Sequence, residues 1–325
     1  MVPGKTELRR GLLLLSMALI LSILIGISVG GTRVTGSSFF EGERVARLIV
    51  LQIRLPRVLV AGCVGAILAM SGATFQTLLR NPLADPFVLG VSGGAACAAA
   101  IATALGFGRI PGALALIAFG GALAATFVVL MVSRRHGSVD SARLLLAGLV
   151  LNALFSALIL LALSVLRGGD LTMALRWMMG TFFASTVAEA EVLGIALTIA
   201  MGALWWISRD LRLLSFGEED ARARGVNTER TKVIAFIAAS LATGAAVSAG
   251  GIIGFVGLLT PHFVRRFWSS DYRISMPLAA LAGAVLLILA DALSRVVVAP
   301  AELPVGALTA LLGVPFFLML VRRSA

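Results

Sequence analysis

Ten long apolar runs constrain the fold of this chain more than any other feature of its sequence. They lie at residues 11–31, 58–79, 87–106, 112–133, 142–166, 189–208, 231–250, 252–268, 276–297 and 305–321. An α-helix needs about 20 mostly apolar residues to cross a hydrocarbon core of about 30 Å. The runs therefore predict an all-α integral membrane protein of about ten transmembrane helices, forming one domain over residues 1–325.

The composition excludes a soluble globular domain. Hydrophobic residues make up 59% of the chain and charged residues only 13%, whereas soluble domains carry about 25% charged residues. The net charge of +11 does not indicate nucleic-acid binding, because the basic residues are spread through the loops. If both termini are cytoplasmic, the inner loops hold about twice as many basic residues as the outer ones. This bias predicts that orientation.

The residues that carry catalysis in enzymes are sparse. His136 and His262 are the two histidines, and the sequence contains no HExxH motif. Cys63 and Cys97 fall inside apolar runs, where cysteine acts as a small packing residue. We therefore predict no catalytic residues, no metal site and no cofactor. ATP hydrolysis, if used, is expected on a separate subunit.

Ion coupling is the alternative source of energy, since secondary transporters place acidic residues at mid-membrane depth. Asp291 is the one acidic residue well inside a predicted span, and Arg295 follows one helical turn later. An ion pair at this spacing is more typical of a structural contact than of a proton relay. An ion-coupled secondary transporter is the runner-up hypothesis, and a membrane scaffold protein is the third.

Motifs along the chain resemble the FecCD-type permease subunits of ABC importers for cobalamin, haem and iron–siderophore chelates. The first is Arg-Leu-Pro-Arg at 54–57, followed by Ser71-Gly72 with Gln76. After it comes the segment 80–90, RNPLADPFVLG, whose two prolines break the helix. The second is the block 250–262, GGIIGFVGLLTPH. Residues 289–295, 302–306 and 313–317 match the last two helices of the family. The resemblance covers nearly all of the chain after residue 50.

The resemblance implies a type II importer in the bacterial inner membrane. Its permease works as a pair of chains around a central pathway, and the second chain is expected to be a copy of the first. Two ATPase subunits lie beneath the pair, and a periplasmic or lipid-anchored binding protein docks above it. The substrate class stays open among cobalamin, haem and siderophores.

A short helix is predicted in the polar segment 209–230. Three acidic residues open it and two arginines close it, which complements the helix dipole, and the spacing predicts the pairs Glu218–Arg222 and Asp220–Arg224. In the resembling family this position is the coupling helix, which docks on the ATPase. The residues assigned to it are Gly217, Glu218, Glu219, Asp220, Ala221, Arg222, Ala223, Arg224, Gly225 and Val226.

The resemblance also implies two further sites. Arg54, Arg57 and Arg295 match arginines that meet glutamates of the binding protein on the outer side. The alternatives are an internal pair between Arg295 and Asp291, and snorkelling of Arg54 and Arg57 to lipid headgroups. Val139, Asp140 and Ser141 fall where the family narrows its cytoplasmic exit, in a loop about two residues longer than the cobalamin-type pattern.

Overall fold

The computed structural model describes residues 5–30, 44–135, 138–299 and 301–324, and these residues are mainly helical. The helices are α1 (Lys5–Ser28), α2 (Arg44–Leu48), α3 (Leu55–Leu78), α4 (Val91–Ala104), α5 (Ala113–Ser133), α6 (Ser141–Val165), α7 (Gly168–Met178), α8 (Val187–Trp206), α9 (Ser208–Leu214), α10 (Glu218–Ala223), α11 (Thr228–Gly250), α12 (Val256–Phe267), α13 (Tyr272–Ser294) and α14 (Val305–Ser324). A π-helical stretch, Ile49–Arg54, joins α2 to α3. Two short antiparallel strands, Arg134–Arg135 and Ser138–Val139, join α5 to α6.

The bundle is built around α3. In its most apolar 18-residue stretch 83% of the residues are buried, against 17% in α6 and in α8. Helices α13, α11, α12 and α8 all pack directly against it. The small side chains of α3 explain this position, because they let several neighbours approach the same helix. The exposed sides of α6 and α8 are apolar, as expected for helices that face lipid or another subunit.

Glycines on α3 allow two of these neighbours to approach at backbone distance. A methyl group on Gly65 would lie 2.2 Å from the carbonyl oxygen of Gly283 on α13. A methyl group on Gly72 would lie 1.9 Å from the carbonyl oxygen of Gly257 on α12. Helix α3 therefore packs closely against α12 and α13, since no side chain larger than hydrogen fits at either crossing.

All ten predicted segments contain a helix, but they are not equally long. Within the part of the chain that the structure describes, seven helices are long and apolar enough to cross a membrane, while α4, with 14 residues, is shorter. The prediction of a span over 252–268 needs correction, because the helix there begins only at Val256 and has 12 residues. At 1.5 Å per residue it extends about 18 Å, too little to cross the core alone. Residues 251–255, immediately before it, are not helical.

The predicted break between two of the spans is also observed. The segment 79–90 forms turns between α3 and α4, as its two prolines indicate. Residues 167–188, between two of the predicted spans, contain the helix α7. Residues 32–57 separate the first two predicted spans; their described part is helical from Arg44, while residues 31–43 lie outside the described residues. His136 lies outside them as well.

Candidate functional sites at the two ends of the bundle

Charged side chains gather at opposite ends of α3 and its neighbours. One group, here called the arginine end, comprises Arg54, Arg57, Asp291, Arg295 and Glu302. The other, here called the coupling end, comprises the short helix α10 and the start of α11 with Lys232. The middle of α3 between them is lined by apolar and small residues.

At the coupling end, α10 is a separate short helix, as predicted. It spans Glu218–Ala223, and Ala221 on its inner side is fully buried. The predicted pair between Arg222 and Glu218 is present, with Nη2 and Oε2 3.5 Å apart. The Asp220–Arg224 pair is absent from the ion pairs of the described residues, because Arg224 lies just beyond the last helical residue, where i,i+4 geometry is lost.

Helix α10 is exposed to solvent but anchored to α11. Glu219, Asp220, Ala223 and Arg224 are exposed to solvent on one side. Arg222 is also exposed, by 55%, but its Nε donates to the Thr228 hydroxyl at 3.0 Å, which fastens α10 to the first turn of α11. A charged, exposed face on an anchored helix is suited to contact a separate protein.

Lys232 is the main polar anchor of this end, and sequence reasoning did not identify it. Its side chain is 2% exposed, yet its Nζ lies 2.7 Å from Glu218 Oε1 and 3.3 Å from Glu229 Oε1. The same Nζ donates to the carbonyl oxygen of Val139 at 2.7 Å. The signal available in the sequence was an ionisable residue inside the predicted span 231–250, which requires partners.

The three candidate gate residues lie next to this anchor. Val139 is 2% exposed, and its N–H donates to Glu229 Oε2 at 2.6 Å. Asp140 is the N-cap of α6 and accepts from the N–H of Ala142 at 2.8 Å. Ser141 donates to the carbonyl oxygen of Leu78 at 3.5 Å. The segment therefore fixes where α6 begins relative to α3 and α11; its role as a gate stays a prediction.

At the arginine end, Asp291 lies between two arginines. Arg57 Nη2 is 2.9 Å from Asp291 Oδ1, and Arg295 Nε is 3.2 Å from Asp291 Oδ2. Arg57 also pairs with Glu302 at 2.9 Å. The Arg57, Asp291 and Arg295 side chains are each at most 5% exposed, whereas that of Glu302 is 34% exposed. Asp291 and the partly exposed Glu302 thus offset the charges of Arg57 and Arg295, while Arg54 adds a third buried arginine to this end.

Arg54 and Arg295 also donate hydrogen bonds to the carbonyl groups at the end of α1. Arg54 Nη1 donates to the carbonyl oxygens of Ile27 and Ser28 at 2.8 and 2.9 Å. Arg295 donates to those of Gly26 and Val29, both at 2.9 Å. The last carbonyls of a helix have no partner within it, and cations are favoured there by the helix dipole. These arginines therefore join the end of α1 to α3 and α13.

The burial of the three arginines does not fit the prediction of an exposed docking surface. Arg54, Arg57 and Arg295 are each 4% exposed, and their guanidinium groups have partners within the chain. The internal Arg295–Asp291 pair, considered above as the alternative, is present. In the sequence these arginines stand among apolar residues, and a charge placed there needs internal partners.

The geometry defines a multi-span membrane protein: a bundle of apolar helices, with an anchored, solvent-facing charged helix at one end. Comparison with family profiles identifies the family to which this membrane protein belongs. The profile of the FecCD transport family matches residues 14–323, and the chain belongs to that family.

Individual relatives agree with this assignment. The chain is 40% identical to the vitamin B12 import system permease protein BtuC of Salmonella typhi, over 97% of this chain and 96% of that protein. It is 38% identical to the ABC transporter permease protein YvrB of Bacillus subtilis (strain 168), over 94% of this chain and 91% of that protein.

Solved structures show the same fold. A metal-chelate type ABC transporter in an inward-facing conformation matches with a TM-score of 0.85 and 30% identity, covering 95% of this chain and 97% of that one. PsaBC from Streptococcus pneumoniae, in complex with Fab, matches with a TM-score of 0.57 and 19% identity, covering 82% of this chain and 90% of that one. The chain is thus an ABC importer permease of the FecCD/BtuC type, and the predicted family and fold are confirmed.

Proposed function

We propose that this chain carries a metal chelate of the cobalamin, haem or iron–siderophore class across the bacterial inner membrane into the cytoplasm. The observation that carries the proposal is the 40% identity to BtuC proteins along almost the full length of both chains. The structural match to a metal-chelate type ABC transporter supports the same substrate class.

The proposed assembly contains two copies of this chain, two ATPase subunits and a substrate-binding protein. The largely exposed apolar side of α6 supports a second permease chain, because such a surface is covered in the membrane either by lipid or by protein. The exposed face of α10 supports ATPase contact at the coupling end. We assign no cofactor to the chain itself and place ATP on the partner subunits.

We also propose that both termini lie in the cytoplasm, which places the coupling end inside and the arginine end outside. The distribution of basic residues supports this orientation. Docking of the binding protein is then proposed at the arginine end. Because Arg54, Arg57 and Arg295 are buried, they would contact a partner only after exchanging internal contacts, while Glu302 is partly exposed there already.

The test is transport by the reconstituted complex. The chain, co-purified with its ATPase and its binding protein, is placed in vesicles and supplied with ⁵⁷Co-cyanocobalamin, ⁵⁵Fe-haem or a ⁵⁵Fe-hydroxamate siderophore. We expect ATP-dependent uptake of one of the three. ATP hydrolysis without uptake of any of them would refute the substrate class. Mass spectrometry of the ligand retained by the binding protein identifies the substrate independently.

The alternative, an ion-coupled transporter, is tested in the same vesicles without ATPase. Asp291, the acid that such a mechanism would use, is already neutralised by Arg57 and Arg295, which is the arrangement of a structural group. We therefore expect a proton or sodium gradient alone to drive no uptake. Uptake under those conditions would favour the alternative over an ABC importer.

A further inference from the structure

We propose that Lys232 is the positioning residue that transmits movement of the ATPase-contacting helix α10 to the start of α6, where the candidate gate lies. The inference rests on the proposed function, since it names the internal link between two of its sites. It follows from a set of contacts in which one buried ammonium group joins three separate segments of the chain.

The first segment is α10 itself. Glu218, in its first turn, places Oε1 2.7 Å from Lys232 Nζ, the shortest ion-pair distance to α10 among the described residues. The Glu218 side chain is 28% exposed while that of Lys232 is 2% exposed. The contact therefore leads from a solvent-facing helix directly into the packed interior.

The second and third segments are α11 and the strand before α6. Lys232 donates to the Val139 carbonyl oxygen at 2.7 Å, and Glu229 accepts from the Val139 N–H at 2.6 Å. Both polar backbone groups of Val139 are thus held by side chains one turn apart on α11. Val139 immediately precedes Asp140, the N-cap of α6.

This geometry makes the position of Val139 dependent on that of Glu218. If α10 moves, Lys232 must either follow Glu218 and change its contact with Val139, or lose a charge partner while buried. Among the described residues its remaining carboxylate partner would be Glu229 at 3.3 Å, and a buried charge that loses a partner is destabilised. The two segments are therefore expected to move together, although they are about 80 residues apart in the sequence.

One contact between α10 and α11 bypasses Lys232 and reaches Val139 through Glu229: Arg222 Nη2 lies 3.8 Å from Glu229 Oε1, and Glu229 Oε2 accepts from the Val139 N–H. Arg222 contacts Thr228, Glu218 and Glu229, all within α10 and the first turn of α11. Loss of Lys232 should leave α10 attached through Arg222. It should also leave the Val139 N–H bound to Glu229. Among the described contacts, Lys232 is the residue that joins Glu218 to the Val139 carbonyl, so its removal breaks this shorter route and leaves the longer one through Arg222 and Glu229.

Distance measurements with paired spin labels test the link. Both native cysteines are first replaced, and the chain is studied with its ATPase in the absence of ATP and after trapping with ATP and vanadate. One pair, Ala142→Cys with Gly194→Cys, reports the start of α6 relative to α8. A second pair, Glu219→Cys with Gly194→Cys, reports α10 relative to the same reference. We expect both distances to change on trapping in the otherwise unaltered chain.

Lys232→Met should retain the change at α10 and reduce the change at α6 at least twofold. Glu218→Ala, which alters a partly exposed side chain and leaves Lys232 its other partners, should act in the same way if Lys232→Met fails to fold. Asp170→Ala, the loss of an acidic side chain on the distant helix α7, is the matched control and should change neither distance.

An undiminished response at α6 in a folded Lys232→Met or Glu218→Ala complex would overturn the link. Failure of the proposed function has a different signature, because α10 would then show no response to ATP in the unaltered chain. A merely structural role for Lys232 is also distinguishable: it would lower stability or alter the resting distance, but would leave the ATP-induced change at α6 equal to that at α10.

Discussion

Replacing Asp291 by Asn should strongly destabilise this protein. The substitution keeps the size of the side chain but removes the negative charge between Arg57 and Arg295, whose side chains are 5% and 4% exposed. Arg57 keeps Glu302 at 2.9 Å, and Arg295 keeps the carbonyl oxygens at the end of α1. One positive charge is left uncompensated inside the bundle.

The magnitude follows from the burial of the pair. Removing one partner of a buried ion pair typically costs about 3–5 kcal/mol, because the other charge stays desolvated. The carbonyl contacts of Arg295 and the Glu302 contact of Arg57 place the expected loss at the lower end, about 3 kcal/mol. Glu302→Gln should cost about 1 kcal/mol or less, since that side chain is one-third exposed and screened by water.

The assay is denaturant unfolding in detergent micelles, followed by the reaction of a maleimide dye with Cys63 and Cys97 as they become accessible. Asp170→Asn is the matched control: the same substitution, on an ion pair with Arg109 whose side chains are 32% and 76% exposed, should leave the unfolding midpoint unchanged. Combining Asp291→Asn with Arg57→Gln should cost less than the sum of the two single changes, because the two side chains interact directly.

A loss below about 1 kcal/mol for Asp291→Asn would refute this reasoning. It would mean that water reaches the site and screens the charges as on a surface. The arginines would then be available for the docking role that the family resemblance implies. Strict additivity of the Asp291 and Arg57 changes would equally contradict a direct pair.

Three further predictions concern other parts of the bundle. Gly65→Ala should lower the free energy of unfolding by about 1–3 kcal/mol, because the added methyl group forces α3 away from α13. Gly194→Ala is the control and should be tolerated, since there is open space around the position of its Cβ. Equal unfolding midpoints for the two variants would contradict the close crossing. Arg224→Glu should keep the unfolding midpoint but lower co-purification of the ATPase at least fivefold. Arg222→Glu should lower both the unfolding midpoint and the co-purification of the ATPase. Normal transport by the variant that carries both changes would reject the coupling role. Burial raises the pKa of Asp85 from 3.8 to about 6. Because the folded-state pKa lies above the unfolded one, its stabilising effect is complete below pH 4 and lost as pH rises through 6. Wild type should therefore lose about 2–3 kcal/mol more than Asp85→Asn between pH 4 and 7, and parallel pH profiles would refute this.

The sequence by itself determined the class of fold and most of its elements. Apolar runs of membrane-spanning length located the helices, since a helix in lipid must satisfy its own backbone and bury its side chains in hydrocarbon. The prolines of the segment 80–90 located the turns between α3 and α4. The acid-first, arginine-last order of residues 218–224 predicted the helix α10. These are local properties, which can be determined from neighbouring residues.

Only the tertiary structure decided which charged residues are buried and what they contact. Arg57 meets Asp291, 234 positions away, and Lys232 meets the carbonyl oxygen of Val139, 93 positions away. No local pattern encodes such distances, so three arginines that resembled an exposed docking surface turned out to be internal. The length of α12 was likewise hidden, because an apolar run does not show where its backbone leaves the helix. Burial depends on which helices pack together, and that packing is a property of the whole bundle.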